Sequence, residues 1–113
     1  MIQNMATGKC LTATNAGTDF AEVLVFGCDR TNGSQWWGNY GFRLMQMSYS
    51  NCLVNRNGQP GTEVCGSSNN GNWMYGSNPS TLSSFAGGYL TTGGYYTWLG
   101  AIQGDYTQWK RVY

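Results

Sequence analysis

The sequence predicts an all-β fold in which three similar units close around a common axis. Short runs of β-branched and aromatic residues are typical of strands, and here they include EVLVFGC, GFRLMQM, GGYLTT and QWKRVY. Turn sequences such as DRTNG, NRNG, SSNNG and TTGG separate these runs, and Asn-Gly pairs with Gly-rich tips favour tight hairpins. Long amphipathic helical patterns are missing from the sequence, and a tryptophan recurs at a nearly constant interval.

The tryptophan interval defines the repeat. Trp36, Trp73 and Trp109 are 37 and then 36 residues apart, and a cysteine stands eight residues before each of the first two. In the third unit Tyr89-Leu90 occupies the place of the earlier Cys-Leu pairs. We therefore expect one domain spanning residues 1–113, with repeats of about 37 residues at 1–38, 39–75 and 76–113.

One large ring from each unit is expected to fill a shared core. A unit of about four short strands cannot bury its apolar face alone, whereas closing three units around an axis removes free sheet edges. This reasoning assigns Trp36, Trp73 and Trp109 to the core. Because successive residues of a strand face opposite sides, the neighbouring Trp37 is then predicted to point outward.

The four cysteines indicate two disulfides and an oxidising, secreted location. An even count in a short chain without histidine or a C-x-x-C pair fits disulfides better than a zinc site. Sequence alone leaves three pairings, but the repeat favours Cys10–Cys28 and Cys52–Cys65, which occupy equivalent places in units one and two. Each loop would contribute about 3 kcal/mol in the chain-entropy model.

Composition argues against several function classes. The formal net charge is +1 and only 10% of residues are charged, with the six basic residues spread over all units, so we expect no nucleic-acid partner. No apolar run approaches the length of a membrane span, so membrane insertion is not expected. The chain lacks histidine and its five carboxylates are scattered, which disfavours catalysis. We expect neither a cofactor nor a metal.

The sequence resembles a known family along its whole length. GKCLTA, VFGCD and SQWW resemble the first repeat of a ricin-B-type (R-type) lectin, NCLVN and EVCGSSNNGNW the second, and GYLTT and TQWKRV the third. The resemblance implies a β-trefoil with disulfides inside the repeats. It also implies binding of galactose-like sugars, often as the cell-binding part of a toxin or as a module attached to a glycosidase.

The family's sugar-binding pattern is only partly kept. In that pattern an Asp follows Cys-Leu, an aromatic ring stands two residues before the second Cys, and Asn and Gln precede the final Trp. Thr12, Val54 and Thr91 replace the Asp, and only unit one has the ring, as Phe26, where Glu63 and Leu99 stand in units two and three. If Trp36 is the final Trp of the pattern, Ser34 stands at the position of the Gln. If Trp37 is the final Trp, the motif Gln35-Trp36-Trp37 has the Gln, but unit one then no longer aligns with units two and three. The resemblance therefore places the candidate site in unit one, at Thr12, Asp19, Phe26 and Asn32.

Exposed aromatic residues add a second group of candidates. Trp37, Tyr40 and the segment from Tyr95 to Trp98 could form a binding patch, within which Tyr96 and Trp98 would share one strand face. The alternative is that these rings fill the volume left by the missing disulfide of unit three. Asn32-Gly33-Ser34 also fits the N-glycosylation pattern, but such triplets are common by chance and a turn is the favoured interpretation.

Three functions remain in view. A trefoil whose scaffold residues match the family but whose sugar-binding residues differ is similar to the lectin-like subunits of bacterial toxins such as the cytolethal distending toxins. This favours a receptor-binding domain that recognises a cell-surface glycan or glycoprotein and delivers a catalytic toxin subunit. The alternatives are a carbohydrate-binding module of a larger secreted enzyme, and a protein-interaction trefoil that has lost sugar binding.

Overall fold

The computed structural model describes residues 1–14, 20–48, 50–66, 69–75 and 79–112, and it confirms the predicted all-β architecture. The described strands follow one another in three groups of four, and a short 3-10 helix precedes the last strand of each group. Unit one holds β1 (Ile2–Asn4), β2 (Cys10–Ala13), β3 (Ala21–Phe26) and β4 (Trp37–Tyr40). Unit two holds β5 (Arg43–Gln46), β6 (Asn51–Arg56), β7 (Gln59–Val64) and β8 (Trp73–Tyr75). Unit three holds β9 (Ser80–Ser84), β10 (Tyr89–Thr92), β11 (Thr97–Gly100) and β12 (Gln108–Arg111). The 3-10 helices are Gly33–Gln35, Asn69–Gly71 and Gly104–Thr107.

Antiparallel pairing joins the units into one curled sheet. Each unit forms a hairpin from its second and third strands, β2–β3, β6–β7 and β10–β11. The units are linked through β4–β5, β8–β9 and β1–β12, so the chain's two ends lie on adjacent strands. The hairpins also contact one another, through β3–β7 and through a bridge between Leu24 and Tyr96. This is the β-trefoil arrangement that the resemblance implies.

The three tryptophans of the core are Trp37, Trp73 and Trp109, so the assignment of the neighbouring pair was wrong. Trp37 is 4% exposed and Trp36 is 45% exposed. Each core indole donates its Nε1–H to the carbonyl oxygen of the equivalent leucine in the second strand of its unit: Trp37 to Leu11 at 3.0 Å, Trp73 to Leu53 at 2.8 Å and Trp109 to Leu90 at 3.0 Å. The core rings are 36 residues apart in both intervals.

A single extra residue in unit one explains the reversal. Cys28 precedes Trp37 by nine residues, whereas Cys65 precedes Trp73 by eight, so counting from the cysteines selects the wrong indole. Trp36 caps the end of the 3-10 helix Gly33–Gln35 and β4 begins only at Trp37. Because the backbone of Trp36 is extended, the two neighbouring rings still face opposite sides, but Trp36 is the outward and Trp37 the inward ring.

Equivalent residues build the rest of the core. The first strands contribute Ile2, Leu44 and Leu82, the second strands contribute Leu11, Leu53 and Leu90, and the hairpin of unit one adds Ala13, Val23 and Val25. Opposite the three tryptophans lie the buried polar residues Asn4, Gln46 and Ser84. Each accepts a backbone N–H from the turn that follows it, from Ala6 and Thr7, from Ser48 and from Ala86, so a buried side chain satisfies a donor in each turn.

Both disulfides are those favoured by the repeat. Cys10 is bonded to Cys28, and Cys52 to Cys65. Each bond ties the start of a hairpin's first strand to the segment just beyond its second strand. No helix in the described ranges is long and apolar enough to span a membrane.

The three units carry different side chains at one equivalent position of their fourth strands. Asn39, Tyr75 and Arg111 are 36 residues apart. The Arg111 guanidinium donates to the carbonyl oxygen of Trp37 at 2.7 Å and to the Oδ1 of Asn39, and it lies 5.7 Å from the ring centroid of Tyr75. The Tyr75 hydroxyl is buried and has no hydrogen-bond partner among the described residues. Burial raises the pKa of Tyr75 to about 12, partly opposed by the Arg111 charge.

We expect Tyr75 to make the protein more sensitive to alkali. Its pKa is about 10 in the unfolded chain and about 12 in the folded protein, so its stabilising contribution is complete below pH 10 and is lost as the pH rises to 12. The loss should be about 1–2 kcal/mol once its partial solvent exposure is considered. Urea unfolding between pH 9 and 12 measures it, with Tyr75→Phe as the reference because this variant removes only the Tyr75 hydroxyl. Parallel pH profiles for the two proteins would contradict the expectation.

Candidate functional site

Phe26 ends β3 and presents its ring to solvent. Burial alternates along this strand, with Ala21, Val23 and Val25 in the interior and Glu22 and Phe26 outside. Phe26 lies opposite Cys10 in the ladder and is 39% exposed. The alternation that builds the core therefore places a phenylalanine on the surface, where folding does not require one.

A neighbouring unit completes the surface around Phe26. Tyr95, at the tip of the β10–β11 hairpin, accepts the Val25 N–H with its carbonyl oxygen at 2.9 Å, and its ring centroid lies 5.9 Å from that of Phe26. The Nζ of Lys9 lies 4.0 Å from the centroid of the Tyr95 ring, in a cation–π contact. We call Lys9, Phe26 and Tyr95 the aromatic cluster.

Gln35 holds the loop that follows Phe26. Its Nε2 donates to the Gly27 carbonyl oxygen at 3.0 Å and to the Thr12 Oγ1 at 3.1 Å, while its Oε1 accepts the Asp29 N–H at 2.8 Å. This role of Gln35 was not predicted from the sequence, although the alternative alignment Gln35-Trp36-Trp37 places Gln35 at the Gln of the family's pattern. Gln35 is fully buried, so it positions the site without reaching a ligand.

Thr12 is not a ligand contact, which corrects the prediction. It is 4% exposed, and its hydroxyl already donates to the Cys10 carbonyl oxygen at 2.9 Å and accepts from Gln35. A threonine at the position of the family's Asp therefore faces inward and binds the protein's own chain. Another candidate, Asp19, lies outside the described residues.

Asn32 shapes a turn. Its Oδ1 accepts the Ser34 N–H at 3.0 Å and so caps the 3-10 helix, and the residue is half-buried. Nearby, the Thr31 hydroxyl and N–H both bond to Asp29, and these bonds lower the pKa of the Asp29 carboxyl. The loop's own groups thus engage the Asp29 carboxylate.

Tyr96 and Trp98 are exposed, at 66% and 38%, but Trp37 is not. The Trp98 ring lies against Gly93 and Gly100, since a Cβ built on these glycines would fall 3.2 and 3.6 Å from it. Trp98 thus covers the backbone of its own hairpin. The predicted patch of Trp37, Tyr40 and part of the Tyr95–Trp98 segment is wrong in its first member, because the buried Trp37 belongs to the core, whereas Tyr40 is exposed.

Units two and three have no exposed ring at the position of Phe26. In the ladders, Glu63 lies opposite Cys52, and Gly100 rather than Leu99 lies opposite Tyr89. Glu63 forms an ion pair with Arg56 at 2.5 Å. Unit one alone therefore has an aromatic side chain at this ladder position.

The aromatic cluster has the chemistry of a binding surface. It offers two partly exposed rings and one ammonium group, with no carboxylate among its three members. Within the described residues no group of three or more His, Cys, Asp or Glu side chains could hold a metal ion.

Comparison with known proteins relates this architecture to lectins. The family model of the ricin-type β-trefoil lectin domain matches residues 1–89. A designed threefold-symmetric protein, ThreeFoil, is similar in structure, with a TM-score of 0.78, 19% identity and coverage of 96% of this chain and 94% of that chain. The C-terminal half of an earthworm R-type lectin in complex with GalNAc gives a TM-score of 0.79 at 12% identity, covering 96% of this chain and 92% of the lectin.

A longer protein contains a similar domain. The hemolytic lectin CEL-III gives a TM-score of 0.81 at 18% identity over 99% of this chain, which spans 29% of that protein. No curated protein gives a significant sequence match. At these identities the structural likenesses establish the fold, whereas the family model covers most of the sequence. The chain therefore belongs to the ricin-type β-trefoil lectin domain family, whose members are non-catalytic carbohydrate-binding modules.

Proposed function

We propose that residues 1–113 form a single lectin domain of three repeats that binds a cell-surface glycan or glycoprotein through the aromatic cluster. The observation that carries the proposal is the pairing of Phe26 and Tyr95 on the surface, 5.9 Å apart, with Lys9 beside them. The apolar C–H face of a sugar packs on aromatic rings, and an ammonium group donates hydrogen bonds to its hydroxyls.

The rings are held in place before a ligand arrives. Cys28 and Gln35 fix the loop after Phe26, and the bond from the Val25 N–H fixes the backbone of Tyr95. Pre-organised side chains lose little conformational entropy on binding. The surface is therefore suited to a ligand that itself supplies few contacts.

The missing carboxylate sets the expected selectivity. A carboxylate accepts hydrogen bonds from sugar hydroxyls and so reads their stereochemistry. The buried Thr12 stands at the position of the family's Asp, so recognition by the aromatic cluster depends on ring stacking and on the Lys9 ammonium group. We expect weak binding with modest discrimination between sugar epimers.

A receptor-binding role in a secreted toxin is the context we propose. Two disulfides suit an oxidising, extracellular location. The similarity to a domain of a hemolytic lectin supports binding at a cell surface. The partner in this proposed context is a catalytic toxin subunit. Attachment to a larger secreted enzyme is the alternative context for the same sugar-binding surface.

A second candidate function is protein binding, favoured by an apolar patch elsewhere on the surface. Phe42 and Phe85 form a ring pair with centroids 5.4 Å apart and are 64% and 44% exposed. Met74, 62% exposed, lines the same cleft as Phe42. Exposed apolar groups this close together are typical of protein interfaces.

A glycan array with two matched variants tests the proposal. Phe26→Ala is expected to reduce the glycan signal about tenfold or more, because one stacking ring contributes on the order of 1–2 kcal/mol. Phe85→Ala removes a ring of similar exposure from the apolar patch and should leave the signal unchanged. Binding of labelled protein to cultured cells should follow the same order and be inhibited by the free glycan.

The array also separates the candidate functions. Absence of glycan signal from folded, disulfide-intact protein would rule out the lectin function. Equal losses in both variants would rule out the aromatic cluster as the sugar-binding surface. Unfolding curves of the two variants ensure that neither loss reflects a change in stability.

A further inference from the structure

We infer that Trp36 and Arg30 form a second binding site, separate from the aromatic cluster, for a sugar that carries a carboxylate. The site is a cleft of about 310 Å³. Its lining consists of Met1, Arg30, Trp36, Trp37 and Arg111. Its existence does not depend on sugar binding by the aromatic cluster.

The fold does not require an indole at position 36. The equivalent residues of units two and three are Asn72 and Gln108, each directly before its core tryptophan. All three use their carbonyl oxygen in the same way, accepting from Met47 at 2.8 Å, from Phe85 at 2.9 Å and from Met5 at 2.9 Å. The backbone carbonyl makes the contact that the fold needs at this position. Two units have a polar amide side chain here, whereas unit one has a tryptophan that is 45% exposed.

The Trp36 ring is fixed in an exposed position. Its Nε1–H donates to the Arg30 carbonyl oxygen at 3.0 Å, which anchors the indole to the loop that carries Arg30. A Cβ built on Gly33 would lie 3.8 Å from the six-membered ring, so the backbone there lies close beneath it. An anchored, partly open indole is a preformed wall for the apolar face of a sugar ring.

Positive charge surrounds this wall. Arg30 and Arg111 line the cleft with Trp36, and the described lining includes no acidic residue. Arg111 is held in place by its bonds to Trp37 and Asn39, whereas Arg30 is exposed on the loop. A guanidinium group pairs with a carboxylate through two parallel N–H···O bonds. The arrangement therefore favours a sugar acid over its neutral counterpart.

The cleft's size limits the ligand. Its volume of about 310 Å³ lies at the lower end of the range for small-molecule sites. We therefore expect it to take one acidic sugar ring, such as a uronic or sialic acid residue at the end of a glycan.

Two acidic sugars and one neutral sugar test the inference. Methyl β-glucuronide and methyl β-glucoside differ only in a carboxylate in place of a hydroxymethyl group, and the methyl glycoside of N-acetylneuraminic acid represents the sialic acids. NMR titration should show the Trp36 indole N–H signal shifting with at least one of the two acids. Affinity for that acid should be about tenfold higher than for the neutral glucoside, as a charge-assisted hydrogen bond predicts.

Variants at equivalent positions supply the controls. Trp36→Ala and Arg30→Gln should each remove the preference for the acid, because the first removes the indole that stacks on the sugar and the second removes the guanidinium that pairs with the carboxylate. Asn72→Ala, at the same position of unit two, and Phe26→Ala, in the aromatic cluster, should keep it. Equal binding of acid and neutral sugar by the unaltered protein would overturn the inference. So would loss of the preference in Phe26→Ala with retention in Trp36→Ala, since this would place the acid beside Lys9.

Discussion

Replacing Trp37 by alanine is expected to lower the free energy of unfolding by about 3–5 kcal/mol. Trp37 is 4% exposed and packs in the apolar core, so its removal leaves a large cavity. It also leaves the Leu11 carbonyl oxygen without the indole donor that lies 3.0 Å away, inside the protein. Since small domains have stabilities of about 5–15 kcal/mol, this loss would remove a large share of the protein's stability.

Trp36→Ala is the matched control, one residue away in sequence. Its indole is 45% exposed and bonds to the carbonyl oxygen of Arg30 on the surface, so we expect a loss of only about 1 kcal/mol. Urea denaturation followed by circular dichroism compares both variants with the unaltered protein. A Trp36→Ala protein less stable than Trp37→Ala would show that the two rings are assigned to the wrong sides.

The fold could be predicted from sequence because its main determinants repeat. A tryptophan recurs every 36 or 37 residues, preceded in each unit by a Cys-Leu pair or, in unit three, by Tyr89-Leu90, and a threefold pattern has few ways of burying these residues. The error at Trp36 arose from one extra residue between Cys28 and the core ring of unit one. Spacing alone does not show where an extra residue lies, whereas the indole bond to Leu11 does.

The candidate site could be predicted only where it lies within one unit. Phe26 follows from its place before Cys28 and is indeed exposed. Tyr95 belongs to another unit and reaches Phe26 through a backbone bond to Val25, a contact that no pattern in the sequence records. Conversely, Thr12 matches a ligand position in the family but is buried, because its hydroxyl is bonded to Gln35 and Cys10.

Removal of the Cys10–Cys28 disulfide should cost about 3 kcal/mol of stability and should weaken sugar binding as well. The bond closes a loop of 18 residues, so breaking it increases the conformational entropy of the unfolded chain. In the folded protein it also anchors the segment that leaves Phe26, two residues before Cys28. The Cys10→Ala/Cys28→Ser double variant tests both effects, with urea unfolding for stability and glycan titration for affinity.

The other disulfide distinguishes an effect on the site from an effect on the whole fold. Cys52–Cys65 closes a loop of 13 residues, so its removal should also cost about 3 kcal/mol of stability. This disulfide lies in unit two, which has Glu63 instead of an aromatic ring at the position equivalent to Phe26. Unit three keeps four ladder pairs between β10 and β11 without a disulfide, so a hairpin of this type forms without the cross-link. If a Cys52→Ala/Cys65→Ser variant is destabilised as much as the Cys10→Ala/Cys28→Ser variant but only the latter loses affinity, the first disulfide positions the aromatic cluster. Equal losses of affinity in folded protein would instead mean that binding follows global stability.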